Sequence, residues 1–118
     1  MDDEKVKVEI KENGNISVVF VSGELTLLDA PDLKNSLDAI LEKGIRRFLF
    51  DFENLDFLDS SGISLLLRFH AQLAKLNGKI AFVHFHKNVA NTMHKALPRH
   101  IRETAYFEDS NDALSYLR

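Results

Sequence analysis

The sequence predicts a single α/β domain whose mixed sheet is antiparallel at its start and parallel afterwards, packed with about four helices. Three observations lead there. A hairpin signature opens the chain. Two nearly continuous apolar runs, "RRFLFDF" at 46–52 and "IAFVHF" at 80–85, read as central strands covered on both faces. Between them lies a helical stretch, which makes a βαβ crossover. The 118 residues suit one domain, 1–118, with a genuine hydrophobic core.

The elements follow in order. Val6, Val8 and Ile10 alternate with Lys7 and Glu9, the period of a half-exposed strand. "ENGN" at 12–15 is a turn signal, the β-rich run Ile16 to Val21 completes a hairpin, and Gly23 is expected to end it. "LLDAPDLKNSLDAILEKG" reads as a helix capped by Asp29, with Pro31 in its first turn and Gly44 at its end. Its apolar stripe is Leu33, Leu37, Ile40 and Leu41. The crossover helix runs from about Ser61 to Leu76 and stops at Asn77-Gly78. A third helix follows from about Asn88 to Leu97, broken by Pro98; then a short strand near Thr104 to Phe107 and a last helix from about Asn111 to Leu117.

Composition excludes several function classes. Apolar residues make up 45% and charged residues 28%, as in ordinary globular chains. With no cysteine, disulfides, thiol catalysis and thiolate metal sites are ruled out. The charged segment Met1 to Val8 is no signal peptide, and no apolar run approaches the roughly 20 residues of a membrane span. The expected location is therefore cytoplasmic, without membrane insertion. A net charge of −3 argues against nucleic acid as a partner. Residues 1–59 hold 7 Lys/Arg against 14 Asp/Glu, whereas residues 60–118 hold 8 against 4. Either the two halves interleave and the asymmetry cancels, or the early loops form an acidic surface suited to a basic partner.

Ser60 and Ser61 stand at a strand-to-helix junction and admit three readings. They can cap the helix, an interaction worth ~1 kcal/mol. They can be nucleophiles, although a nucleophile elbow needs G-x-S-x-G and here the chain reads D-S-S-G-I. Or one can be phosphorylated, since a helix N-terminus tolerates phosphate while the surface gains roughly −1.5 to −2 charge.

The stretch "FLFDFENLDFLDSSGISLLL", 48–67, resembles the signature of the bacterial anti-anti-sigma factors, the single-domain STAS proteins, and "VSGELT" at 21–26 resembles the family's earlier G-E-L-D element. Element order and length agree, so the likeness spans nearly the whole chain. The resemblance implies an anti-sigma factor antagonist, not an enzyme. It would bind an anti-sigma factor that is also a serine kinase with a histidine-kinase-like ATPase fold. Phosphorylation of Ser60, with Ser61 secondary, would release that partner, and a metal-dependent serine phosphatase would restore binding. Asp59 would help position the hydroxyl, and Gly62 would let the partner's backbone approach. Glu24, Thr26, Leu27 and Leu28 would complete the partner-facing loops. Three positions depart from the family pattern: Thr26 stands for the usual Asp, Ser64 for a common second glycine, and Pro98 lies where a glycine is usual before the last strand.

On the crossover helix, Ser64, Arg68, Gln72 and Lys75 fall within one polar arc of roughly 80°. Leu65, Phe69 and Leu76 flank it; they are either buried by neighbouring helices or extend an apolar patch beside Ser60. Leu27 and Leu28 carry the same two readings. His70, inside the apolar arc, reads as a hydrogen-bonded core histidine. His84 and His86, two apart on an expected strand, suggest a metal only weakly, and no metal or cofactor is expected. Two rivals to the switch remain: a STAS module built into a larger assembly such as a lipid transporter, and a serine hydrolase.

Overall fold

The hairpin forms as its turn predicts. In a computed structural model that describes residues 6–99 and 105–118, β1 (Lys7–Asn13) and β2 (Ile16–Leu25) pair antiparallel, with Gly14 taking φ +64 in the turn. Five strands lie in the order β1-β2-β3-β5-β6, with β3 at Arg47–Asp51, β5 at Lys79–Val83 and β6 at Tyr106–Phe107. The strands after the hairpin pair parallel. Thr104, expected to open the last strand, lies outside the described residues.

A sixth strand was not foreseen. β4 (Leu55–Leu58) pairs parallel with the far end of β2. β2 therefore does not stop at Gly23. It runs alongside β3 as far as Phe20, bulges between Gly23 and Glu24, and continues alongside β4 to Leu25. Gly23 has φ +88, a backbone state that glycine adopts without penalty, and its N–H donates to the Asn54 carbonyl at 3.0 Å.

Helices α1 (Ala30–Glu42), α2 (Ser60–Lys75) and α3 (Lys87–Ala96) cover one sheet face, and α4 (Ser110–Leu117) covers part of the other. The alternation along β3 explains this sandwich: Phe48, Phe50 and Phe52 turn towards α1 to α3, while Leu49 turns towards Ala113 and Leu117 of α4. Phe48 and Phe50 meet Phe69 of α2 edge to face, at 4.8 and 6.1 Å between centroids. The expected stripe of α1, Leu33, Leu37, Ile40 and Leu41, is buried against the same core. Gly44 ends α1 at φ +94, its N–H on the Leu41 carbonyl. Asp29 occupies the cap position but makes no side-chain cap bond; its carboxylate accepts the Thr26 hydroxyl at 3.4 Å instead. At the end of α2, Asn77 takes the left-handed turn at φ 61, and Gly78 serves closeness, since a Cβ there would lie 2.5 Å from the Arg46 carbonyl oxygen.

Candidate functional site

The partner change of β2 is what assembles the region around Ser60. Pairing of β2 with β4 sets Glu24 opposite Phe57 and Leu25 opposite Leu58. Both strands then leave the sheet side by side, one into Thr26-Leu27-Leu28, the other into Asp59-Ser60. A backbone hydrogen bond from Asp59 N–H to the Leu25 carbonyl, 3.1 Å, continues the pairing by one step.

Asp59, and neither serine, caps α2. Its Oδ1 accepts the N–H groups of Ser61 at 2.9 Å and Gly62 at 3.1 Å. Its Oδ2 accepts the Leu27 N–H at 3.1 Å. One carboxylate thus satisfies two orphan donors of the helix and ties down the loop from β2 to α1. The capping reading of the serines is corrected by this geometry. Asp and Ser are near-equal caps, and the residue with extended backbone, Asp59 at ψ −173, takes the place.

Ser60 is then the first residue of the helix, exposed, with a hydroxyl that has no partner among the described residues. Ser61 is half-buried. Both line a groove of about 420 Å³ between α1 and α2, whose walls include Leu27, Pro31, Lys34, Leu65, Arg68 and Phe69. Of the predicted polar arc, Ser64, Arg68 and Gln72 face this groove and Lys75 does not line it.

The predicted apolar residues divide. Leu27 and Leu28 stand out from the surface, 67% and 87% exposed, and Leu76 is 41% exposed. Leu65 and Phe69 are 8% and 3% exposed; neighbouring elements bury them, and they show the groove only an edge. Gly62 is buried too. A Cβ there would meet Leu25 Cγ at 3.0 Å and the Leu25 carbonyl oxygen at 3.1 Å, so the close approach that the glycine permits is that of its own β2. Phe57, 47% exposed and opposite Glu24, belongs to the same surface and was missed. No clear signal for it stood in the sequence, because the burial order of β4 does not alternate.

None of the described histidines lines the groove. His70 is half-buried on α2. His84 and His86 do not share a strand face, because β5 ends at Val83 and His84 has φ 59. His84 Nδ1 lies 3.1 Å from Asp51 Oδ2, whereas His86 caps α3 by accepting the Asn88 N–H at 3.4 Å. The groove therefore offers Ser60 no imidazole base from the described residues. Among these residues no helix is long and apolar enough to cross a membrane.

Comparison with known proteins agrees with this architecture. A family model described as STAS domain matches residues 7–105. The fold is similar to that of an anti-sigma factor antagonist from Mycobacterium paratuberculosis, with TM-score 0.83 and 23% identity over 99% of this chain and 97% of that one. It is also similar to the Bacillus cell fate determinant SpoIIAA in its phosphorylated form, with TM-score 0.75 and 16% identity over 95% and 100% of the two chains. A third likeness is to part of the murine Slc26a9 anion transporter: TM-score 0.75, 17% identity, 91% of this chain but 18% of that one.

Proposed function

The chain belongs to the STAS domain family, and we propose that it acts as an anti-sigma factor antagonist switched by phosphorylation of Ser60. Unphosphorylated, it binds an anti-sigma factor that is also a serine kinase with a histidine-kinase-like ATPase fold. Phosphorylation dissociates the pair, and a metal-dependent serine phosphatase resets it. The chain is a kinase substrate, not an enzyme, and works in the cytoplasm.

One observation carries this reading: Asp59 takes over the cap, so the Ser60 hydroxyl is exposed and unengaged beside the protruding Leu27 and Leu28. A phosphate there meets the positive end of the α2 dipole, so the fold accepts it. The surface gains roughly −1.5 to −2 charge next to Asp59 and near Glu24 and Asp56; of the two cations in the adjoining groove, Lys34 is already paired with Asp38 and Arg68 lies about two turns further along α2. A like-charge clash in an interface costs several kcal/mol, enough to dissociate a moderate complex. Leu27, Leu28 and Phe57 supply the apolar contact area; Glu24, Thr26, Asp59 and Ser61 form its polar rim. Leu65, Phe69 and Gly62 support this surface from beneath.

The likeness to part of an anion transporter favours a second reading, a fixed module of a larger assembly in which Ser60 is inert. A pull-down from native lysate with wild-type and Ser60→Asp baits separates the two. Capture of a kinase-fold protein by wild type, lost with Ser60→Asp, supports the switch. The same proteins on both baits, or transporter subunits, would sink it.

A further inference from the structure

On the sheet face opposite α1 to α3, away from Ser60, three side chains converge that the switch does not use. We propose that Asp51, Glu53 and His84 form a binding site for a first-row divalent cation, with Zn²⁺ as its natural probe.

The placement follows from the strands. Asp51, the last residue of β3, leaves the face opposite Phe50, and Glu53 lies in the turn two residues on. The β3–β5 register sets Asp51 beside Val83, and His84 follows directly. Its φ of 59 accompanies an imidazole laid against Asp51, Nδ1 to Oδ2 at 3.1 Å. One donor atom from each of the three residues lies within 4.8 Å of the others.

The distances suit an ion. Two ligands each about 2.0–2.2 Å from a tetrahedral Zn²⁺ are roughly 3.3–3.6 Å apart. The Asp51–His84 pair is already close to that separation. The third ligand must close in by about an ångström, and Glu53 is exposed, so its side chain can swing. Asp51 is 9% exposed, and its other oxygen accepts the Glu53 N–H at 3.0 Å, which fixes the carboxylate's direction. Ligands held in this way by an outer hydrogen bond bind metals more tightly.

Access and charge also fit. Asp51 and Glu53, though not His84, line a depression of about 340 Å³, together with Lys7, Glu9, Ser22 and Asn54 and the apolar Val8, Phe20 and Val21. An ion can enter there, and water can complete its coordination. One imidazole and two carboxylates are a mixed N/O set that suits Zn²⁺, Co²⁺ or Mn²⁺, and the two negative charges balance the ion. The bound ion would replace the direct His84–Asp51 contact, and would tie the β3–β4 connection to the one leading into α3.

The test is calorimetric titration of the metal-free full chain with ZnCl₂, and of Co²⁺ by visible absorption. We expect one ion per chain, with Glu53→Gln and His84→Gln each weakening affinity at least about tenfold. His86→Gln and His94→Gln should leave it unchanged. Absence of saturable one-to-one binding overturns the site, as does Glu53→Gln binding as tightly as wild type. Should His84→Gln fail to fold, the exposed Glu53 carries the test alone.

Discussion

Replacing Asp59 by Ala removes the acceptor of three backbone N–H groups, those of Ser61, Gly62 and Leu27. Loss of an N-cap of this type costs ~1 kcal/mol. The bond to Leu27 is charge-assisted, but it lies at an exposed position where water competes, so about 1 kcal/mol more is a fair share. The expected loss is about 2 kcal/mol, or a fall in Tm of about 8 °C for a domain of this size. Asp59→Asn separates the two contributions. Its amide oxygen still caps Ser61 and Gly62, but its NH₂ group opposes the Leu27 N–H, so only about half the loss should appear. Chemical denaturation gives both values, and hydrogen exchange at the Leu27 amide reports the tether directly. That amide should exchange faster in both variants. A loss under about 0.5 kcal/mol in Asp59→Ala, or unchanged exchange at Leu27, would refute the double role of the carboxylate.

Three further outcomes are expected. Gly78→Ala must push a methyl group into the Arg46 carbonyl and Leu73; it should cost about 2–3 kcal/mol by thermal denaturation, against little change for Asn77→Gly. Ser17 is fully buried and its hydroxyl has no partner among the described residues, so Ser17→Ala should be neutral or stabilising by up to about 1 kcal/mol, as a denaturant midpoint would show. The pair Leu27→Ser and Leu28→Ser should leave Tm within about 2 °C because both side chains are exposed, yet weaken the partner identified by pull-down at least tenfold, roughly 1.4 kcal/mol, by calorimetry.

The elements with a clear period were legible in the sequence. The α1 stripe, the phenylalanines of β3 and the stop at Gly44 all stand where the pattern put them. β4 was hidden because four residues with the burial order buried, exposed, exposed, buried carry no alternation. Gly23 looked like a terminator because a glycine at a bulge and one at a strand end have the same local signature; only the later pairing with β4 tells them apart. The position of Ser60 at a helix start could be read, but the choice of cap could not, since Asp59 and Ser60 are chemically near-equal for the task. Asp51, Glu53 and His84 were invisible as a group because the register of β3 against β5, and not their spacing along the chain, brings them together.

The two ends of the sheet bear on how such a protein can be adhesive and still stay dispersed. Among the described residues the outer edge of β1, seven residues long, has no neighbouring strand, and such an edge is a template for fibril growth. Along it run Lys7, Glu9, Lys11 and Glu12, charges that a second strand could not dock against without desolvating them. The opposite edge, β6, is two residues long and gives a foreign strand nothing to zip along. The most exposed leucines, Leu27 and Leu28, sit on a loop tethered by Asp59, where a visitor finds side chains but no open ladder. Under the proposed switch, contact at that place is made by shape and undone by charge, whereas a strand edge would hold whatever joined it.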